Sequence, residues 1–231
     1  MSALCCVHPA LAAQAPLAVY YSFDTAPPAD LFTEMQSELG RILAPSGVRA
    51  AWRAIDAPRD GREDFPGIVV LHFRGRCDLK GAAGNSEPDP AGRTLAETEL
   101  IDGHILPFGA VDCDKVRAFI APVLKSIPAG DQAAALGRAL ARVSAHEIYH
   151  MLAGTETHAR KGIFRAAHSR TDLTAATFSF AAPESSRLRA WLERQSPSEP
   201  AVETAVSGSV PVSGDSAFTA PEPEPAGLAG R

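Results

Sequence analysis

His146-Glu147-Ile148-Tyr149-His150 gathers two imidazoles and a carboxylate into five residues, and His158 adds a third imidazole eight residues later. On an α-helix, residues four apart lie one above the other, so His146 and His150 can aim ring nitrogens at a single ion. Glu147 stands beside them on the same side of the helix. A carboxylate there takes a proton from a metal-activated water and later passes it to a leaving amine. Zinc lowers the pKa of that water to about 7, and a catalytic zinc keeps three protein ligands and one open position. The residues therefore predict one Zn2+ ion held by His146, His150 and His158. Glu147 is the expected general base and acid in the hydrolysis of a peptide bond.

A helix is needed to present the first three of these groups. Asp131 is the expected N-cap, and Ala135, Leu136, Ala139, Leu140 and Val143 form an apolar stripe that runs into His146 and His150. Gly154 is placed to end the helix in a left-handed cap. The two histidines then fall in its last two turns on the inward face. A turn at Gly154-Thr155 brings His158 back over the helix end.

The stretch from Leu136 to Arg165, with A-H-E-I-Y-H-M-L-A-G-T-x-x-H-x-x-x-G-I at its heart, resembles the metzincin metalloproteases, whose pattern is H-E-x-x-H-x-x-G-x-x-H followed by a methionine turn. It is also similar to uncharacterised secreted bacterial proteins with a metzincin-like H-E-x-x-H-x-L-x-G-T-x-x-H motif. In the metzincin pattern the glycine would fall at Ala153 and the third histidine at Glu156, whereas this chain offers Gly154 and His158, as if the turn were lengthened by two residues. No methionine follows Met151, and Gly162-Ile163-Phe164 stand at the place of that turn.

Three other side chains compete with His158 for the third ligand position. Glu156 occupies the metzincin position, and zinc accepts carboxylate oxygen. Glu184 lies downstream on an expected helix, and His168 sits in a basic stretch that suggests a solvated or substrate-facing residue. Arg138, Arg142, Arg160, Lys161, Arg165 and Arg170 surround the motif, opposed by Glu147 and Glu156. They read either as a solvated helix face plus a loop, or as a source of one cation, Arg160, Lys161 or Arg165, that binds an acidic substrate group or stabilises the oxyanion.

Composition bounds the rest. The chain has 231 residues, 45% of them hydrophobic, enough for one substantial core. No apolar run approaches the roughly 20 residues of a membrane span. The formal net charge is -5, of which Ser196 to Arg231 contribute all but -1 through Glu199, Glu203, Asp215, Glu222 and Glu224 against Arg231. So weak a balance implies no nucleic-acid partner. That Pro/Ser/Glu-rich tail, residues 196–231, is expected to be disordered. Residues 1–15 end in Ala-Ala-Gln-Ala and suit a truncated signal segment, although a positive n-region is lacking. Residues 16–195 remain as the catalytic domain. With Cys5 and Cys6 in the leader, Cys77 and Cys113 are left as a pair, either two buried thiols or one disulfide in a secreted or periplasmic protein.

The expected fold is mixed α/β. Leu17 to Phe23 reads as a strand, and Leu31 to Leu43 as a helix stopped by Pro45 and Gly47. Val48 to Ala54 alternates as a strand, and Ile68 to Phe73 runs continuously apolar like a central one. Asp78 to Thr94 is a long loop, and Asp102-Gly103 a hairpin turn. Asp112 or Asp114 opens a short helix broken by Pro122, and Arg187 to Arg194 closes the domain. This order is similar to a metzincin-like N-terminal subdomain. The resemblance implies a twisted mixed sheet backed by helices, the motif helix under the edge strand, and an extended peptide substrate added to that edge. His104 to Phe108 is the expected edge strand, with His104 itself a surface residue. Two other functions fit the same residues: a non-catalytic zinc module closed by a fourth ligand, and a metal-free secreted binding domain whose histidines form hydrogen bonds.

Overall fold

A computed structural model describes residues 16–58, 65–80 and 94–195, which belong to one compact unit. The expected leader (1–15), the tail (196–231) and residues 81–93 of the expected loop lie outside the described residues. In chain order the elements are β1 (Pro16–Thr25), α1 (Ala29–Leu43), β2 (Arg49–Ala54), β3 (Gly67–Arg76), β4 (Ala96–Ile101), β5 (His104–Asp112), α2 (Cys113–Leu124), α3 (Ala129–Ala153), α4 (Arg170–Thr174) and α5 (Ala182–Gln195).

The strands form one mixed sheet in the order β2-β1-β3-β5-β4. All neighbours are parallel except β4 and β5, an antiparallel hairpin turned at Asp102-Gly103, where both residues have positive φ (51° and 77°). The mixed α/β class expected from the sequence is observed. β3 is central as its apolar run predicts, yet it is buried on one face alone. Val69, Leu71 and Phe73 join the core with α1, α2 and α3, while Ile68 on the opposite face is 50% exposed. Alternation of this kind follows from a sheet backed by helices on one side.

One expectation about the sheet is corrected. His104 to Phe108 is the first half of β5, which pairs with β4 along that half and with β3 only from Phe108 onward, so the outermost strand of the sheet, beside the motif helix, is β4. A hairpin is symmetric in sequence, and only parallel pairing of β5 with β3 (Val70 opposite Phe108, Phe73 opposite Val111) decides which strand is outer. The charges of β4 carried the signal that was missed, because Glu97 and Glu99 are what an edge strand tolerates.

Smaller departures concern helix ends. α3 starts at Ala129 after Pro128, and Asp131 lies in its first turn, where a carboxylate faces the positive end of the helix, instead of capping it. Pro122 does not end α2, which continues to Leu124, and α5 begins at Ala182 and not near Arg187. Asp112 caps α2 by accepting a hydrogen bond from the Lys115 amide at 2.9 Å.

Two long-range ties hold the frame of the site. Cys77 after β3 and Cys113 at the start of α2 form a disulfide with Cα atoms 4.9 Å apart, which follows from the side-by-side ends of parallel β3 and β5. Arg142, expected in the basic surround of the motif, is instead fully buried. Its Nε donates to Glu38 of α1 at 2.7 Å, and its two terminal nitrogens donate to the carbonyls of Asp172 and Ala175 at 2.7 and 2.8 Å. Burial, reinforced by Arg41 and Arg138, lowers its pKa to about 10, so the guanidinium is still charged at neutral pH. One turn before His146, this residue ties α1 and α3 to the segment that follows the motif.

Candidate metal centre

His146 and His150 occupy the last two turns of α3, each about 9% exposed, and Gly154 ends the helix at φ 59° with its amide donating to the His150 carbonyl. Beyond the cap the chain folds back, and the exposed His158 meets the other two rings. His146 Nε2 lies 3.1 Å from His150 Nε2 and 3.2 Å from His158 Nε2, and one ring nitrogen from each residue falls within 4.8 Å of the other two. Nitrogens bound about 2.0 to 2.1 Å from an ion at tetrahedral angles stand about 3.3 Å apart, close to the distances from His146 Nε2 to the other two rings.

The backbone settles which nitrogen faces the centre. His146 Nδ1 is 2.9 Å from the Ile163 carbonyl and His150 Nδ1 is 2.6 Å from the Thr155 carbonyl. A carbonyl accepts only, so in both rings Nδ1 carries the hydrogen and Nε2 turns a lone pair inward. Two lone pairs 3.1 Å apart repel unless a cation lies between them. The donor set therefore fits a metal ion such as zinc. Burial, opposed by these carbonyl hydrogen bonds, pushes the pKa of His146 down to about 3 and lowers that of His150, which keeps both rings in the neutral form a metal requires.

Gly162-Ile163-Phe164 line the group from below. Gly162 has φ 73°, and a Cβ there would come within 2.8 Å of the Ala181 nitrogen and the Ser179 oxygen, so a side chain is excluded. The turn it makes aims the Ile163 carbonyl at His146 and turns Phe164, 1% exposed, under all three imidazoles. The Phe164 ring centroid is 5.2, 4.7 and 5.4 Å from those of His146, His150 and His158, and 4.0 Å from Tyr149.

Glu147 is 6% exposed and does not belong to the nitrogen cluster. Its Oε2 accepts from the Thr98 hydroxyl of β4 at 2.6 Å. Burial raises its pKa to about 7, opposed by the Thr98 hydrogen bond and reinforced by the charge of Glu97. Thr98 was not singled out from the sequence. The available signal was a polar residue at the inward-facing position of an otherwise acidic, outward-facing strand.

The competing ligands are elsewhere. Glu156 is exposed and outside the cluster, and Glu184 is buried on α5 where its charge acts on Tyr149. His168, expected to be solvated or substrate-facing, is half-buried. Its ring lies edge-on to His146 at 5.5 Å, both of its nitrogens are buried without a hydrogen bond, and burial with the nearby Arg165 and His158 lowers its pKa to about 4. Among the described residues no fourth His, Cys, Asp or Glu joins the three-histidine group. Of the three candidate cations, Arg160 and Lys161 are exposed on the loop after His158. Arg165 pairs with Asp172 and lies over the Phe178 ring at 5.7 Å.

Fold and side chains thus define a mixed α/β protein in which a buried helix end and its returning loop build a three-histidine centre next to a buried glutamate. No family model matches the chain, and no curated protein matches it in sequence. Among solved structures it is similar to archaemetzincin (amzA) from Methanopyrus kandleri, at 12% identity and a TM-score of 0.44, over 81% of this chain and 100% of that chain. Likeness at this level leaves the chemistry to be read from the residues themselves.

Proposed function

We propose that this protein is a zinc-dependent metallopeptidase in which His146, His150 and His158 hold one ion and Glu147 is the general base and acid. The observation that carries the reading is the convergence of three imidazole nitrogens at 3.1 and 3.2 Å, two of them with lone pairs fixed inward by backbone carbonyls. Zinc bound there supplies a polarised carbonyl and a water with a pKa of about 7. Glu147, buried beside the histidines and held by the Thr98 hydroxyl, is suited to accept its proton and return it to the departing amine. Burial of His146, His150 and Glu147 keeps bulk water from weakening these charges.

Among the described residues three ligands converge and no fourth joins them, which favours an open, catalytic site over a closed structural one. A peptide or protein substrate is supported by β4, which touches Glu147 through Thr98 and whose outer side pairs with no other strand among the described residues, leaving backbone groups for an extended chain. The exposed cations Arg160 and Lys161 are the groups available to an acidic part of that substrate, and Arg165 would first have to leave Asp172. The Cys77–Cys113 disulfide supports secretion or a periplasmic location. No helix among the described residues is long and apolar enough to cross a membrane.

Metal content of purified variants, followed by cleavage of a quenched fluorescent peptide library, tests the assignment. His158→Ala is expected to abolish stoichiometric zinc and Glu156→Ala to leave it intact. Glu147→Gln should keep zinc and lose about 10²- to 10⁴-fold in hydrolysis. Zinc retained in His158→Ala, or a cleavage rate preserved in Glu147→Gln, would reject the corresponding role.

A further inference from the structure

Glu147 meets the sheet at a single ladder position. Thr98 in β4 lies opposite Gly109 in β5, just before the register slips so that Leu100 faces Ile105. Pro107 falls inside the slipped stretch, and a proline has no amide to give the ladder. Opposite Thr98, on the face turned to α3, Gly109 leaves a notch. A Cβ built there would sit 2.6 Å from Met151 Cε and 3.1 Å from the Glu97 carbonyl. Met151 is one turn beyond Glu147 on the same ridge of α3, so the notch lets that ridge approach the sheet closely enough for the Thr98 hydroxyl to reach the carboxylate.

The resulting contact is short and specific. Thr98 Oγ1 to Glu147 Oε2 is 2.6 Å, inside the range of a hydroxyl donating to an ionised carboxylate. Thr98 is the residue of β4 that faces Glu147, and Glu97 and Glu99 on either side of it are exposed. One carboxylate oxygen is thereby occupied and the χ angles of Glu147 are held, while the second oxygen is left for proton transfer. The hydroxyl belongs to the outermost strand, the one on which an extended peptide would pair.

We infer that Thr98 is the positioning residue for Glu147, coupling the edge strand to the general base by a hydroxyl–carboxylate hydrogen bond. The inference rests on the peptidase reading, and the two can fail separately. On the full zinc-loaded chain, Thr98→Val keeps the shape and strand preference of threonine and removes only the donor. It is expected to bind one zinc per chain and to lower kcat on a quenched peptide by about ten- to a hundredfold, with KM changed less than about threefold. Thr98→Ser, which restores the hydroxyl, returns most of that loss. Wild-type kcat in Thr98→Val, or Thr98→Ser as slow as Thr98→Val, overturns the inference. If the valine variant does not fold, Thr98→Ala against Thr98→Ser makes the same comparison.

Absence of peptide cleavage by the wild-type, zinc-loaded chain would remove the peptidase reading and not the role of Thr98. That role is then decided on the cobalt(II)-loaded chain by the pH midpoint of its visible spectrum. A midpoint displaced in Thr98→Val and restored in Thr98→Ser sustains the inference, and identical midpoints in all three proteins overturn it.

Discussion

Phe164→Ala separates support of the metal centre from general packing. The ring is 1% exposed and touches Tyr149 and all three imidazoles. Truncating a buried phenylalanine to alanine costs about 3 to 5 kcal/mol. At about 2 to 4 °C per kcal/mol for a domain of this size, the apo protein should melt about 6 to 20 °C lower. Residues that buttress metal ligands alter affinity by about 10- to 100-fold when removed. Each tenfold loss of zinc affinity narrows the stabilisation by saturating zinc by about 1.4 kcal/mol, so the gap between holo and apo melting should close by a further few degrees. Differential scanning calorimetry with and without zinc, together with competition against a chromophoric chelator, measures both terms. A variant that melts lower but binds zinc as tightly as the wild type would refute Phe164 as a wall of the centre and reduce it to a core residue.

Further expectations follow from the buried charges and the crosslink. Arg142→Met leaves the Glu38 carboxylate, 2% exposed, with Arg41 as its remaining cation and strips the Asp172 and Ala175 carbonyls of their donor, so it should cost about 2 to 4 kcal/mol in urea denaturation, of which adding Glu38→Gln recovers only the part due to the carboxylate. In the apo protein His146 and His168 have folded pKa values of about 3 and 4, below the unfolded value of about 6.5, so between these limits the unfolded chain binds more protons. Stability is therefore full above pH 6.5 and falls as the solution is acidified, by an order of 2 kcal/mol per histidine at pH 5. A melting temperature that stays flat from pH 7 to 4.5 in metal-free buffer would contradict these burial-driven shifts. Cys77→Ser with Cys113→Ser opens a disulfide spanning 36 residues and should lose about 4 kcal/mol, read by chemical denaturation against a thiol titration of both proteins.

Much of this protein is legible along the chain because it is local. The apolar stripe from Ala135 to Val143 carries the helix into His146 and His150, Gly154 ends it, and Asp102-Gly103 turns the hairpin. Periodicity and turn chemistry act over a few residues, and these elements fall where the spacing puts them. The helix ends drift, as at Ala129 and Ala182, since capping preferences compete with packing that the local pattern does not contain.

Tertiary structure decided everything that joins distant segments. Two strands of a hairpin are interchangeable in sequence, and β4 became the edge because β5 paired with β3. Arg142 looks like a surface cation until Glu38, 104 residues away, and two carbonyls of the Asp172–Ala175 segment enclose it. The hydroxyl of Thr98 reaches Glu147 across 49 residues through a notch that depends on Gly109. From its sequence alone the chain determined a helix bearing two imidazoles and a carboxylate. The meeting of His158 with that pair, the inward lone pairs and the wall of Phe164 required the fold, because burial and hydrogen-bond direction are properties of surfaces that only packing creates.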